Sequence, residues 1–218
     1  MKPSLQIDLL SEISASGKIP VRMEFVKLTP GCLAQGDCPA GGAATADLPG
    51  GGNSPMGIEK ILPLEQAFRK VDELKRQGRR VVLTNGCFDL LHPGHTRLFV
   101  EARKLGDVLV VAMNSDRSVC TLKGRNRALQ PEAERAEIIA ALAAVDYVTI
   151  FDDASVLSVV ARMLPNVLVK GGDYTLDQIV GRDEVEAAGG QVVPIPILPG
   201  YSTTSIIEKA QKTVGGRQ

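Results

Sequence analysis

From Ile58 onward the chain alternates between two hydrophobic periods. Leu64, Ala67, Val71 and Leu74 recur at helical spacing and the pattern stops at Gly78, which predicts an amphipathic helix with a glycine at its end. Val81, Val82 and Leu83 then form an apolar run closed by Asn85-Gly86, predicting a strand. The same reading predicts a helix over Gly94 to Leu105 and a buried strand over Val108 to Met113. Further on it predicts a helix from Glu132 to Ala143, a strand from Tyr147 to Ile150 and a helix from Ser155 to Met163. Strands over Val167 to Val169 and Gln191 to Ile195 follow, then a last helix from Thr204. Apolar runs alternating with helices argue for a parallel sheet covered on both faces, hence a doubly wound α/β fold. In such sheets ligands sit beyond the carboxyl ends of the strands.

The first 57 residues do not share this pattern. Cys38 to Gly57 is dominated by Gly, Ala, Pro, Asn and Ser, with too little apolar surface to offset its ordering entropy. The expected organisation is therefore a disordered or loosely attached extension, 1–57, and one domain, 58–218. Met56, immediately before the patterned region, is a candidate start.

Composition narrows the functional classes. Of 218 residues 44% are hydrophobic, ordinary for a globular domain, and 25 basic side chains balance 25 acidic ones. Without a basic field, neither nucleic acid nor an anionic membrane is an expected partner, and phosphate binding must be local. The four cysteines contain no CxxC pair and only two histidines are present, so no metal site is expected and reduced thiols are the default. No apolar run approaches the ~18 residues that spanning requires, which suggests a cytoplasmic protein.

Both histidines of the chain fall in one stretch, Thr84-Asn85-Gly86-Cys87-Phe88-Asp89-Leu90-Leu91-His92-Pro93-Gly94-His95, between the first strand and the next helix. A helix N-terminus carries unpaired N–H groups and the positive end of the helix dipole, so an anion is its natural ligand. Two imidazoles separated by Pro-Gly can both face that anion. Gly94 permits close approach, and Pro93 presets the backbone angle of a first helical turn. The alternative, a turn histidine and a core histidine, suits a lone histidine better than this pair.

Gly86-Cys87-Phe88-Asp89 followed by His92-Pro93-Gly94-His95 resembles the signature of the HxGH cytidylyltransferase-like superfamily. Asn114-Ser115-Asp116, Lys123-Gly124, Arg135 and Ser202-Thr203-Thr204 resemble further family elements in the same order, over roughly residues 58 to 212. Thr84 to Asp89, Leu168-Val169-Lys170-Gly171-Gly172-Asp173-Tyr174 and Ser202 to Ile207 are most similar to the adenylyltransferase domain of ADP-heptose synthases. Ile197-Leu198-Pro199-Gly200 departs from the Arg-Thr-Glu-Gly-like stretch of glycerol-3-phosphate cytidylyltransferases, which weakens a cytidylyl reading.

The resemblance implies a Rossmann-like nucleotidyltransferase. The phosphate of D-glycero-β-D-manno-heptose 1-phosphate attacks the α-phosphorus of ATP, giving ADP-heptose and pyrophosphate. It makes His92, His95 and Lys123 the catalytic group, with Lys123 as a loop cation. It places Asn85, Gly86, Cys87, Phe88, Gly94, Lys170, Gly171, Ser202, Thr203 and Thr204 at the nucleotide, and Asp89, Asp116 and Arg135 at the acceptor or its phosphate. Asp116 stays open between the acceptor, a metal-bound water and a plain strand-end turn, and Ser202 to Thr204 can cap a helix as well as bind nucleotide. Mg²⁺ is expected with ATP, a homodimer is implied, and a separate sugar kinase is expected to supply the acceptor. The alternatives are a cytidylyltransferase acting on a polyol phosphate and a nucleotide-binding module without catalysis.

Overall fold

A computed structural model describes residues 57–124, 127–196 and 198–215. Apart from Gly57, the expected N-terminal extension and the candidate start at Met56 lie outside the described residues.

Five parallel strands form one sheet in the order β3-β2-β1-β4-β5. They are β1 (Val81–Gly86), β2 (Val108–Asn114), β3 (Tyr147–Phe151), β4 (Val167–Gly171) and β5 (Gln191–Ile195). The expected doubly wound α/β architecture is present. Every residue of β2, the strand next to the centre, is buried. Strand side chains alternate between two hydrophobic layers, as a period of two requires. Val81, Leu83, Val108, Val110, Ala112 and Leu168 face one layer, which is closed by α1 (Leu64–Arg76), α5 (Leu157–Met163) and α6 (Arg182–Ala187). Val82, Leu109, Val111, Met113, Val167 and Val169 face the other, closed by α2 (Pro93–Arg103) and α4 (Glu132–Ala140).

The chain runs outward from β1 through β2 to β3, then returns to place β4 on the other side of β1. The carboxyl ends of β1 and β4 therefore flank the point where the winding reverses, which is where open α/β sheets leave a crevice. The histidine stretch follows β1, and Lys170 and Gly171 end β4.

Several expected boundaries shift. The helix from Glu132 ends at Ala140 rather than Ala143, and the helix expected from Ser155 begins at Leu157. Two short helices escape the periodicity: α3 (Asp116–Lys123), capped by the Ser115 hydroxyl on the Ser118 N–H, and α6, whose one buried side chain is Val185. Lys123 thus ends a helix instead of riding on a loop. The final helix, α7 (Thr203–Gly215), buries no described side chain: Ile206 and Ile207 are half-buried and the turns beyond them are exposed.

Candidate active site

Strand β1 delivers Asn85 and Gly86 to the sheet edge, and the chain then turns sharply enough to put Phe88 at φ 42°. The turn buries Phe88 edge-on against Phe99 of α2 and edge-on against His95, with ring centres 5.0 and 5.4 Å apart. Gly86 is fixed by this packing, since a Cβ there would lie 2.9 Å from the Phe88 ring.

His92 is the N-cap of α2 and Pro93 its first residue, so the N–H groups of His95 and Thr96 both turn back to the His92 carbonyl. The two imidazoles stack with centres 3.8 Å apart and planes 21° from parallel. Gly94 makes the stack possible, because a Cβ at that position would sit 2.9 Å from the His92 ring. Burial holds the His92 pKa below its ordinary value. Burial, then the neighbouring His92 and Lys123, push His95 down to about 4. Both rings are therefore neutral near pH 7, and each Nδ1 is buried without a hydrogen-bond partner among the described residues. A neutral imidazole carries one N–H donor, and a stacked pair of them offers two donors to an anion without opposing each other.

Two cavities of about 530 Å³ each open on either side of this pair, and His95, Leu98, Lys123, Gly171 and Thr203 line both. One runs between the first turns of α2 and α7 and takes in His92, Gly94, Tyr201, Ser202 and Thr204. It gathers two helix N-termini, a histidine pair, a lysine and four hydroxyl side chains, the composition of a polyphosphate site. The other lies beyond β1 and β4 and is lined by Asn85, Gly86, Cys87, Phe88, Asp89, Lys170 and Tyr174. Lys170 is aimed into it, 3.4 Å from Asn85 Oδ1 and over the Tyr174 ring at 5.8 Å. Burial lowers the Lys170 pKa, with Lys123 adding to the effect and the Cys87 thiol opposing it.

The residues expected from sequence thus divide between the cavities. The two cavities share five lining residues, so those following β1 and those before α7 border adjoining spaces. Asn85, Cys87, Phe88 and Lys170 stand on one side, Ser202 and Thr204 on the other, with His95, Lys123, Gly171 and Thr203 between.

Three acceptor-side expectations are modified by the hydrogen bonding. Arg135, expected as a phosphate clamp, lies in neither cavity lining; it is the bulkiest of the fully buried side chains. Its guanidinium donates to the carbonyls of Cys87 (2.5 Å), Asn114 (3.1 Å) and Gln130 (3.0 Å) and to the Asp116 carboxylate (2.6 Å). It ties the histidine-bearing loop to the end of β2. Asp116 is the first residue of α3, and besides Arg135 it accepts the Glu132 N–H while the Glu132 carboxylate accepts its own N–H. Asp89 lines the second cavity and is buried, with Oδ1 accepting the N–H groups of Leu129 (2.9 Å) and Gln130 (3.1 Å) and Oδ2 buried without a hydrogen-bond partner among the described residues. The helical register held the signal for Arg135, which stands one turn before buried Ile139 on the inward stripe of α4. The loop contacts of Asp89 span 40 and 41 residues and leave no local trace.

Among the described residues no three His, Cys, Asp or Glu side chains gather as a metal cage, and no helix is long and apolar enough to cross a membrane.

The cytidylyltransferase-like family model matches residues 83–209. The bifunctional protein HldE of Geobacter sulfurreducens is 53% identical over 159 residues, 73% of this chain and 32% of the relative. Bifunctional protein HldE of Rhodopseudomonas palustris (strain BisB5) is 50% identical over 155 residues, 71% and 32% of the two chains. The chain spans about a third of the length of the curated relatives it matches. The crystal structure of the lipopolysaccharide core biosynthesis protein from Thermoplasma volcanium GSS1 aligns at 28% identity and a TM-score of 0.47, over 56% of this chain and 98% of that one.

Proposed function

The chain belongs to the cytidylyltransferase-like family, and from that premise we propose that it is an adenylyltransferase moving AMP from ATP to D-glycero-β-D-manno-heptose 1-phosphate. The observation that supports this reading is the pair of cavities meeting at His95 and Lys123, one lined by His92, Ser202 and Thr204 and the other by Asn85, Asp89 and Lys170.

In this reading the triphosphate lies between the first turns of α2 and α7, and the sugar phosphate enters beyond β1 and β4. An oxygen of the anomeric phosphate forms a bond to the α-phosphorus. The bond from that phosphorus to the β-phosphate bridging oxygen breaks, and pyrophosphate leaves with the electron pair. Both reactants are anions, so the protein's task is to hold them in line and to offset the charge on the equatorial oxygens. Neutral His92 and His95 donate N–H groups there, Lys123 supplies positive charge from the end of α3, and Lys170 faces the acceptor phosphate. Mg²⁺ would be carried mainly by triphosphate oxygens, as suits an ion that keeps most of its water, and would add to charge neutralisation.

The assay is pyrophosphate release with ATP or CTP against heptose 1-phosphate, other sugar 1-phosphates and glycerol 3-phosphate. The expected outcome is turnover with ATP and heptose 1-phosphate at least tenfold above every other pair. Equal or better turnover with CTP removes the adenylyl assignment, and preference for glycerol 3-phosphate removes the sugar.

A further inference from the structure

The polyphosphate cavity contains a guanidinium that neither the histidine signature nor its flanking motifs single out. Arg127 lines it beside Lys123, His92, His95 and the Ser202–Thr204 turn. Its Nη2 reaches the first turn of α7 and donates to Thr204 Oγ1 at 3.3 Å, a long contact between exposed groups. The backbone of Arg127 is held from both sides. Its N–H donates to the Gly124 carbonyl (3.2 Å), and its own carbonyl accepts the Cys120 thiol (3.1 Å). Two residues further on, Asp89 Oδ1 accepts the N–H groups of Leu129 and Gln130, and Arg135 Nε–H donates to the Gln130 carbonyl. The segment from Arg127 to Gln130 is therefore fixed at one end to α3 and at the other to the histidine loop.

Charge bookkeeping gives the arginine a task. A nucleoside triphosphate brings about four negative charges, yet both histidines on this wall are neutral near pH 7 and Lys123 is a point charge. A planar guanidinium presents paired N–H donors that match two phosphate oxygens at once, and such charged, paired bonds are stronger than a long contact to a neutral hydroxyl. We propose that Arg127 is a triphosphate-binding residue of this site, exchanging its Thr204 contact for phosphate oxygens, with Asp89 as the positioning residue that aims its segment. The proposal rests on the nucleotidyltransferase reading and does not depend on the acceptor.

Calorimetric titration of ATP and of inorganic tripolyphosphate, with adenosine followed by NMR, separates the possibilities for the wild-type chain, Arg127→Ala and Arg127→Lys. The alanine variant is expected to bind ATP and tripolyphosphate about 10- to 100-fold more weakly while adenosine binding and Tm stay unchanged, and lysine is expected to restore part of the loss. Unchanged tripolyphosphate affinity in Arg127→Ala overturns the proposal, as does an equal loss for adenosine. A wild-type chain that binds neither ATP nor tripolyphosphate overturns the nucleotide reading itself, a result distinct from a variant that simply matches wild type.

Discussion

Replacing Arg135 with methionine keeps most of the side-chain volume and removes every hydrogen bond of the guanidinium. Three carbonyls lose their donor, those of Cys87, Asn114 and Gln130, and the Asp116 carboxylate loses its ion pair. A buried acceptor left without a donor costs about 1–3 kcal/mol. Asp116 is less costly to abandon, because its side chain is 43% exposed and water can replace the guanidinium, whose own side chain is fully buried. With Gln130 on a half-exposed loop counted lightly, the sum is about 3–5 kcal/mol, the range expected for breaking a buried charge pair. At roughly 2–4 °C per kcal/mol for a domain of this size, Tm should fall by roughly 6–20 °C. The Cys87 carbonyl belongs to the histidine-bearing loop, so kcat should fall with it even well below the new Tm. Calorimetry with steady-state kinetics at 15 °C makes the measurement, and Asp116→Asn is the companion variant, expected to lose less than half as much stability. A clamp on phosphate predicts the reverse, an unchanged Tm with a KM for ATP raised tenfold or more, and that result would refute the buried-tie argument.

His92→Ala and His95→Ala should each lower kcat on the order of 10²- to 10³-fold, with smaller changes in KM and Tm, as for loss of one donor from a preorganised anion site; a near-normal kcat in well-folded protein speaks against it. Gly94→Ala forces a methyl group to 2.9 Å from the His92 ring, so the stack must open, and kcat should drop by about 10² with Tm nearly unchanged. Only two histidines exist in the chain, so their ring protons can be followed by NMR: His95 should titrate at about 4 and His92 below 6.5, whereas two titrations at 6.5 contradict the packed pair. Because the folded His95 resists protonation, its contribution to stability is full above pH 6.5 and is lost as pH falls toward 4. That loss is on the order of 2–3 kcal/mol, and it should be missing from the acid limb of His95→Gln unfolding.

The strands were readable because apolar residues dominate them, as in Val81-Val82-Leu83, Val108 to Met113 and Val167-Leu168-Val169, and their alternation with helices left a parallel sheet as the consistent arrangement. Helices α3 and α6 were not readable, since Asp-Arg-Ser-Val-Cys-Thr-Leu-Lys and Arg-Asp-Glu-Val-Glu-Ala carry too few apolar positions for a period to show. The histidine pair could be read because it is local, held within one turn between a strand and a helix. The division of the site into two cavities could not, because it depends on β4 returning beside β1 and on α7 arriving from the far end of the chain. Arg135 shows a different limit. Its residue type says surface and its register says core, and only the carbonyls converging on it decide between them.

Helix α7 supplies the Ser202–Thr204 corner of the polyphosphate cavity yet buries none of its own described side chains. So little burial predicts that its docking opens well below the free energy of global unfolding, which hydrogen exchange of the α7 amides would measure. Any ligand that needs this corner meets a competent site only in the fraction of molecules with α7 in place, and its apparent dissociation constant is the intrinsic one divided by that fraction. Affinity for nucleotide can then be tuned from residues that never touch it. Thinning the half-buried Ile206 or Ile207 lowers the docked population and weakens binding, while a side chain that fills the seam more fully strengthens it, each without altering a phosphate contact.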